Sequence, residues 1–289
     1  MELSEIEEIG VELLRRAVTR LPEDVKESLK RALSEEESEI GRTQLEAILK
    51  NVEMAEKSGK PMCQDTGVPL FFLRVGKEFP VGIEEIKSAL VNSVRRGTKE
   101  IPLRPNVVDP MSRENTGDNS GRKMPYFDVE IVDGDSLEIT FMPKGAGSEN
   151  MSFLGMLSPS KGVNGIKEFV LEKVIEAGGK PCPPTIIGIG IGGTADLAMK
   201  LAKRSLLRPL NEDHNDERIR ELEREIAEMV NSTGIGPMGL GGKFTCLGVR
   251  MDFASTHTAT LPVAINFQCW AARRSYALIE KDGVRRVLP

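Results

Sequence analysis

Four cysteines stand far apart in this 289-residue sequence, at positions 63, 182, 246 and 269. Cys63 opens the run Cys63-Gln64-Asp65 between Pro61 and Gly67, so a thiol, an amide and a carboxylate share one loop. Packing alone does not call for that trio at the entrance to the apolar run VPLFFLRV. Cys182 lies in Lys180-Pro181-Cys182-Pro183-Pro184, where prolines on both sides fix the backbone and suit a ligand that must be positioned in advance. Cys246, in the apolar KFTCLGV, reads as a buried structural thiol, and Cys269 follows His257 in STHTATLPVAINFQC. Zinc sites usually take close pairs such as Cys-x-x-Cys, which this sequence lacks, and His214 inside NEDHNDE reads as a surface residue. Iron–sulfur clusters accept thiolates from distant loops and fit the dispersed set better. Residue chemistry by itself leaves Cys246 and Cys269 open as a third ligand beside Cys63 and Cys182.

A second motif competes for attention. Gly188-x-Gly190-x-x-Gly193 follows a strand and precedes a helix, as a dinucleotide fingerprint does, with Glu212 and Asp213 near the place of a ribose-binding acid. That acid should end a second strand, yet residues 194–231 read as helical almost throughout. A tight strand-to-helix turn, with amides that could face an anion, is the better reading.

The elements that carry these residues are a mixture. Residues 1–59 read as helical: Leu3, Ile6, Ile9, Leu13 and Leu14 share one stripe, Leu45, Ile48, Leu49, Val52 and Ala55 another, and Gly59 closes the run. The acidic SEEESE at 34–39 reads as a solvated helix face. A strand over VPLFFLRV and a helix ending at Gly97 lead into residues 102–125, a long loop rich in Pro, Asn, Asp and Gly. YFDVEIV and SLEITFM flank Asp133-Gly134-Asp135 as a hairpin, and Lys144-Gly145-Ala146-Gly147-Ser148 forms a glycine loop. Helices follow over KEFVLEKVIEAGG, 194–206 and about 214–231. Short strands complete the chain, with a last hairpin around Asp282-Gly283. The fold class is mixed α and β (α+β), a helical N-terminal portion followed by short, mostly antiparallel sheets with packed helices. No linker cuts the sequence, so residues 1–289 are expected to form a single domain.

Composition narrows the function. A net charge of −5, one Trp and two Tyr argue against a nucleic-acid partner, which needs phosphate contacts and stacking. No apolar run approaches the roughly 20 residues that cross a bilayer, and the acidic amphipathic start resembles no targeting peptide. A cytoplasmic enzyme with reduced cysteines is therefore expected.

Cys63-Gln64-Asp65-Thr66-Gly67, Lys144 to Ser148, Cys182-Pro183-Pro184 and His257 with Cys269 together resemble the cluster-binding half of class I fumarases, shared with L(+)-tartrate dehydratases. The match runs from about residue 40 to about residue 275 in the family's order, with Ala146 where single-chain members usually carry a third glycine. The resemblance implies a 4Fe–4S cluster on Cys63, Cys182 and Cys269, with one iron left open as a Lewis acid and Cys246 structural. It implies acid–base roles for Asp65 and His257, a carboxylate clamp at Arg104, and a pocket completed by Gln64 and the backbone of Gly145, Ala146 and Gly147. The segment Arg113–Asn119 also resembles the family, without an assignable role, and Asp109 and Arg113 are weaker candidates. Single-chain members continue into a domain supplying further arginines, a lysine and a threonine base. The expected protein is thus the α subunit of a two-subunit hydro-lyase, a hetero-oligomer with a β subunit, hydrating fumarate to L-malate. The alternatives are dehydration of L(+)-tartrate, an iron–sulfur sensor or scaffold, and a nicotinamide-dependent oxidoreductase.

Overall fold

A computed structural model describes residues 2–281 and 285–288. Eight α-helices and nine strands follow in chain order among them. They are α1 (Leu3–Thr19), α2 (Glu23–Glu35), α3 (Glu39–Ser58), β1 (Val68–Gly76), α4 (Ile83–Glu100), β2 (Tyr126–Val132), β3 (Leu137–Lys144) and α5 (Ala146–Glu149). Then come β4 (Phe153–Leu157), α6 (Gly162–Ala177), β5 (Thr185–Gly192), α7 (Ala195–Ser205), α8 (Glu217–Asn231), β6 (Cys246–Ala254), β7 (Leu261–Gln268), β8 (Ser275–Ile279) and β9 (Arg285–Leu288). Five of the seven strand pairings are antiparallel, so the α+β class with mostly antiparallel sheets holds.

The chain forms two compact units, neither continuous in sequence. Unit 1 holds residues 1–22, 51–146 and 273–289; unit 2 holds 23–50 and 147–272. One crossing falls inside α3, which is why no Gly- or Pro-rich linker marks it in the sequence.

Unit 1 is built on a sheet of order β2-β1-β3-β8-β9. Its core joins Phe71 and Leu73 of β1, Ile139 and Phe141 of β3, Leu13 and Leu14 of α1, and Ile86 and Leu90 of α4. Phe71 stacks on Phe127 and tilts against Phe141, with ring centroids 5.5 and 5.0 Å apart. Gly97 does not end its helix. It lies inside α4 because a β-carbon there would come within 2.9 Å of Leu14, so it is a packing glycine where α1 and α4 meet.

β2 and β3 are not a hairpin. β1 lies between them, parallel to β2 and antiparallel to β3. Asp133-Gly134-Asp135 steps over the end of β1, where Gly76 donates to Ser136 and Glu78 to Gly134. Gly76 permits this because a β-carbon would stand 2.3 Å from the Gly134 carbonyl. The expected last hairpin turn, Asp282-Gly283, lies outside the described residues, although β8 and β9 pair antiparallel.

Unit 2 is built on a sheet of order β4-β7-β5-β6. Its core runs through Val170 and Val174 of α6, Ile187 and Ile189 of β5, Ile226 and Val230 of α8, Met251 of β6 and Phe267 of β7. The glycines of β5 belong to packing. A β-carbon at Gly188 would meet the Ala202 carbonyl at 2.1 Å, and one at Gly190 the Ala198 carbonyl at 2.0 Å, so α7 lies directly on the strand. No second strand ends near Glu212, which removes the dinucleotide reading. Nor does the turn await an anion. Hydrogen bonds from the Thr194 side chain and from main-chain N–H groups of the first turn hold the Asp196 carboxyl below its ordinary range, so the helix start carries its own carboxylate.

The acidic run 34–39 is solvated except at Glu36, and it bridges two helices where a single helix face was expected. α2 ends at Glu35, and Glu36 is 3% exposed in the connection to α3. Its carboxylate accepts from the N–H groups of Glu37, Ser38, Lys243 and Phe244 at 2.9–3.2 Å. This is how the glycine-rich segment before β6 is held.

Candidate active site

Within unit 1 the candidate residues converge on Asp65. The loop before β1 starts from firm anchors: Met62 donates its N–H to Val18, and Asn51 donates its side-chain amide to the Met62 carbonyl. Cys63 is half-buried and Gln64 exposed. Asp65 Oδ1 accepts from the Gly67 N–H at 2.9 Å and from Asn106 Nδ2 at 3.3 Å. Oδ2 accepts from the Ala146 N–H at 2.7 Å. Ala146, expected to offer its backbone to a ligand, turns its amide to Asp65. Gly67 is required here, with φ of 83° and a β-carbon position only 2.7 Å from Pro143.

The backbone under Arg104 is pinned. Thr66 Oγ1 and Asn119 Nδ2 both donate to the Arg104 carbonyl at 3.1 Å, and the Asn119 Oδ1 accepts from the Asn106 N–H. Asn119 is buried and left-handed, with φ of 59°, a conformation asparagine tolerates. The loop of residues 102–125 is thus ordered by side chain-to-backbone hydrogen bonds. Its Arg113–Asn119 part contributes Asn119, which links Asn106 and Arg104 to the rest. Sequence reading missed Asn106 and Asn119 as positioning residues; a polar residue in a loop offers no periodicity to betray its partner. Asp109 caps its own turn, and hydrogen bonds from Ser112 and Met111 lower its pKa. Arg113 is exposed in the same turn. The Arg104 guanidinium is exposed and makes no ion pair among the described residues.

Within unit 2 the cysteines sort by place. Burial pushes the Cys246 thiol up to about 12, and its main-chain N–H bonds to Asn231, as a structural cysteine requires. Cys182 and Cys269 are half-buried and outside any disulfide, as is Cys63 in unit 1. Cys182 stands three residues before β5 and Cys269 directly after β7. Ile186 lies opposite Gln268, so both cysteines mark one end of the sheet. The Trp270 N–H bonds to the Cys182 carbonyl at 3.1 Å, tying the two segments together. Cys182 has φ of 56°, a costly conformation for a residue with a side chain and one that cysteine adopts here between prolines. Gly147 is exposed, and a β-carbon on it would meet the Lys180 carbonyl at 3.2 Å, beside the Cys182 segment.

His257 is elsewhere. It sits exposed in the turn between β6 and β7, at the opposite end of β5, where Thr256 Oγ1 donates to the Gly193 carbonyl at 3.0 Å. Its Nδ1 accepts the Ala259 N–H at 3.1 Å. β5 spans 8 residues, so about 26 Å of strand separates His257 from Cys182. Among the described residues, neither unit alone gathers three Cys, His, Asp or Glu side chains into a metal-holding group. No helix among them is long and apolar enough to cross a membrane.

Comparison with known proteins adds the following. A family model described as fumarate hydratase (fumerase) matches residues 7–277. A Methanocaldococcus jannaschii protein provisionally named L(+)-tartrate dehydratase subunit alpha is 52% identical over 285 residues, covering 96% of this chain and 99% of its own. The Escherichia coli K12 protein named L(+)-tartrate dehydratase subunit alpha is 34% identical over 281 residues, covering 97% of this chain and 92% of its own.

Proposed function

Because the chain belongs to the fumarate hydratase family of hydro-lyases, we propose that it is the cluster-bearing α subunit of a two-subunit enzyme that hydrates fumarate to L-malate. Cys63, Cys182 and Cys269 would hold a 4Fe–4S cluster. The donor set fits: three half-buried thiols outside disulfides, two of them at one end of a sheet, and a fourth thiol sealed away with a raised pKa. That sorting of the cysteines is the observation that carries the reading. When bound, such a cluster supplies Lewis acidity for an oxygen of the substrate.

The chain's own residues do the rest. Arg104, on a pinned backbone, offers a fork to one carboxylate. Gln64, exposed on the Cys63 loop, would bind the same ligand, as would the backbone of Gly145 and Gly147. Asp65 is the residue that moves the proton of a leaving or arriving hydroxyl, and its hydrogen bonds fix where that carboxylate points. Removal of the proton next to the second carboxylate falls to a base on the partner. His257 joins this chemistry only from another copy of the chain, since its own sheet holds it away from Cys182. Partner and hetero-oligomer follow from the relatives, which are named as alpha subunits and match at nearly full length. Those same names favour L(+)-tartrate as the second reading.

Co-expression with a candidate β subunit and anaerobic reconstitution tests the proposal, assayed on fumarate and on L(+)-tartrate. Cys63→Ser, Cys182→Ser and Cys269→Ser should each lose most of the iron and the brown colour, and Cys246→Ser should keep both. Loss of iron in Cys246→Ser alone, or full activity without a partner, sinks it.

A further inference from the structure

Arg273 is the bulkiest of the fully buried side chains, 1% exposed, and it belongs to unit 1. Its Nη1 donates to the Asp65 carbonyl at 2.9 Å, its Nε has no hydrogen-bond partner, and it makes no ion pair among the described residues. A buried guanidinium without a carboxylate is strongly disfavoured, because its charge loses water and gains no opposite charge. The other buried arginine among the described residues, Arg250, has the Glu223 carboxylate at 3.4 Å. Arg273 has none.

Its surroundings indicate what it serves. A β-carbon built on Gly145 would stand 3.3 Å from Asp65 Oδ2 and 3.6 Å from Arg273 Nη2. With glycine there, carboxylate and guanidinium flank the same bare stretch of backbone. Arg273 holds the Asp65 main chain while the Asp65 side chain holds Ala146, so one cation fixes the whole corner. Asp65 and Arg273 bring one negative and one positive charge to this corner; the buried Lys144 precedes Gly145 in the chain, and Arg104 stands exposed on the backbone that Thr66 holds.

We infer that Arg273 is a positioning residue that locks the Asp65–Ala146 corner and supplies the buried positive charge favouring a doubly charged ligand. The inference rests on the dicarboxylate reading above. At 1% exposure Arg273 acts through Asp65 and through its field, without touching the ligand. A unit charge several ångströms away in a partly shielded site changes the affinity for one further anionic group by about tenfold to a hundredfold.

The test uses the reconstituted two-subunit enzyme and two non-reacting probes, the dianion succinate and the monoanion butyrate, with affinities from titration calorimetry and iron content as a control. Wild type should prefer succinate. Arg273→Gln should keep its iron and lose about tenfold or more in succinate affinity, with butyrate changed less than about threefold; Arg273→Lys should restore the preference. A merely structural arginine would weaken both probes together, and that result, or an unchanged preference in Arg273→Gln, overturns the assignment. If Arg273→Gln does not assemble, Arg273→Lys decides alone: a retained preference supports the charge, and a collapsed preference overturns it. Wild-type enzyme that binds both probes alike overturns the dicarboxylate reading itself.

Discussion

Glu36 in unit 2 and Asp65 in unit 1 each turn a carboxylate toward main-chain N–H groups of a segment far away in sequence. Glu36 reaches Lys243 and Phe244 as well as its own two successors, is nearly inaccessible, and stands in a connection that no candidate residue shares. Asp65 reaches Ala146 and Gly67, stays half-exposed, and has a buried cation under its main chain. The hydrogen-bonding device is the same. One copy is complete, with each charge answered inside the protein. The other leaves Arg273 and Arg104 unanswered, which stability alone would not maintain. The buried cation, more than the hydrogen bonds, separates the two.

The comparison breaks first if Asp65 proves to be only a second Glu36. Asp65→Asn should lower kcat of the assembled enzyme by roughly a hundredfold or more, the usual scale for a lost proton-transfer group. Both Asp65 oxygens accept hydrogen bonds, so the asparagine NH2 must face another donor. Hydrogen exchange at residues 144–147 should therefore rise as well. Faster exchange with unchanged kcat would reduce Asp65 to a clamp.

His257→Asn should cost a similar factor when present in every copy, and mixing that variant with Cys182→Ser chains should recover part of the activity. No recovery in mixed assemblies, with both singles inactive, would end the idea that His257 serves another copy. Unchanged kcat in His257→Asn would remove the histidine from the chemistry.

The smallest effect belongs to the complete site. Glu36→Gln should destabilise the protein by about 1–3 kcal/mol, the cost of a buried donor left facing a donor, with kcat per folded molecule unchanged. Burial raises the Glu36 pKa, yet the N–H groups of Lys243, Ser38, Phe244 and Glu37 outweigh it and the net direction is downward. Its stabilisation is thus present above the unfolded value of 4.5 and is lost as pH falls through the lower folded value. Denaturation midpoints of wild type and Glu36→Gln should differ at pH 7 and draw together as pH falls below 4.5. A gap that widens in acid would contradict this.

Much of this was legible in the sequence. Periodicity reveals α1 and α4, and Cys63-Gln64-Asp65 and Pro-Cys-Pro-Pro announce themselves by composition. The misreadings share a cause: the same local signal has two tertiary explanations. Asp133-Gly134-Asp135 is as good at stepping over a third strand as at closing a hairpin, and only Gly76, 58 residues before Gly134, tells which. Gly188 and Gly190 answer to α7, not to a phosphate, and Gly97 answers to Leu14. Glu36 looks like its acidic neighbours because its partners lie beyond residue 240. Arg273, next to another arginine near the C-terminus, carries no motif; its meaning appears only when burial and the missing counter-charge are seen together.

The central strand of unit 1 carries a consequence for biosynthesis. β3 takes β1 on one side and β8 on the other, and β8 begins at Ser275. A nascent chain can complete every strand of unit 2 once Gln268 has left the ribosome. Unit 1 must wait, its β3 edge bare, until Ser275–Ile279 emerge. For that interval an apolar strand edge is open to pairing with other chains. Stop codons or slow translation after about residue 272 should therefore yield aggregates whose unit 2 is folded.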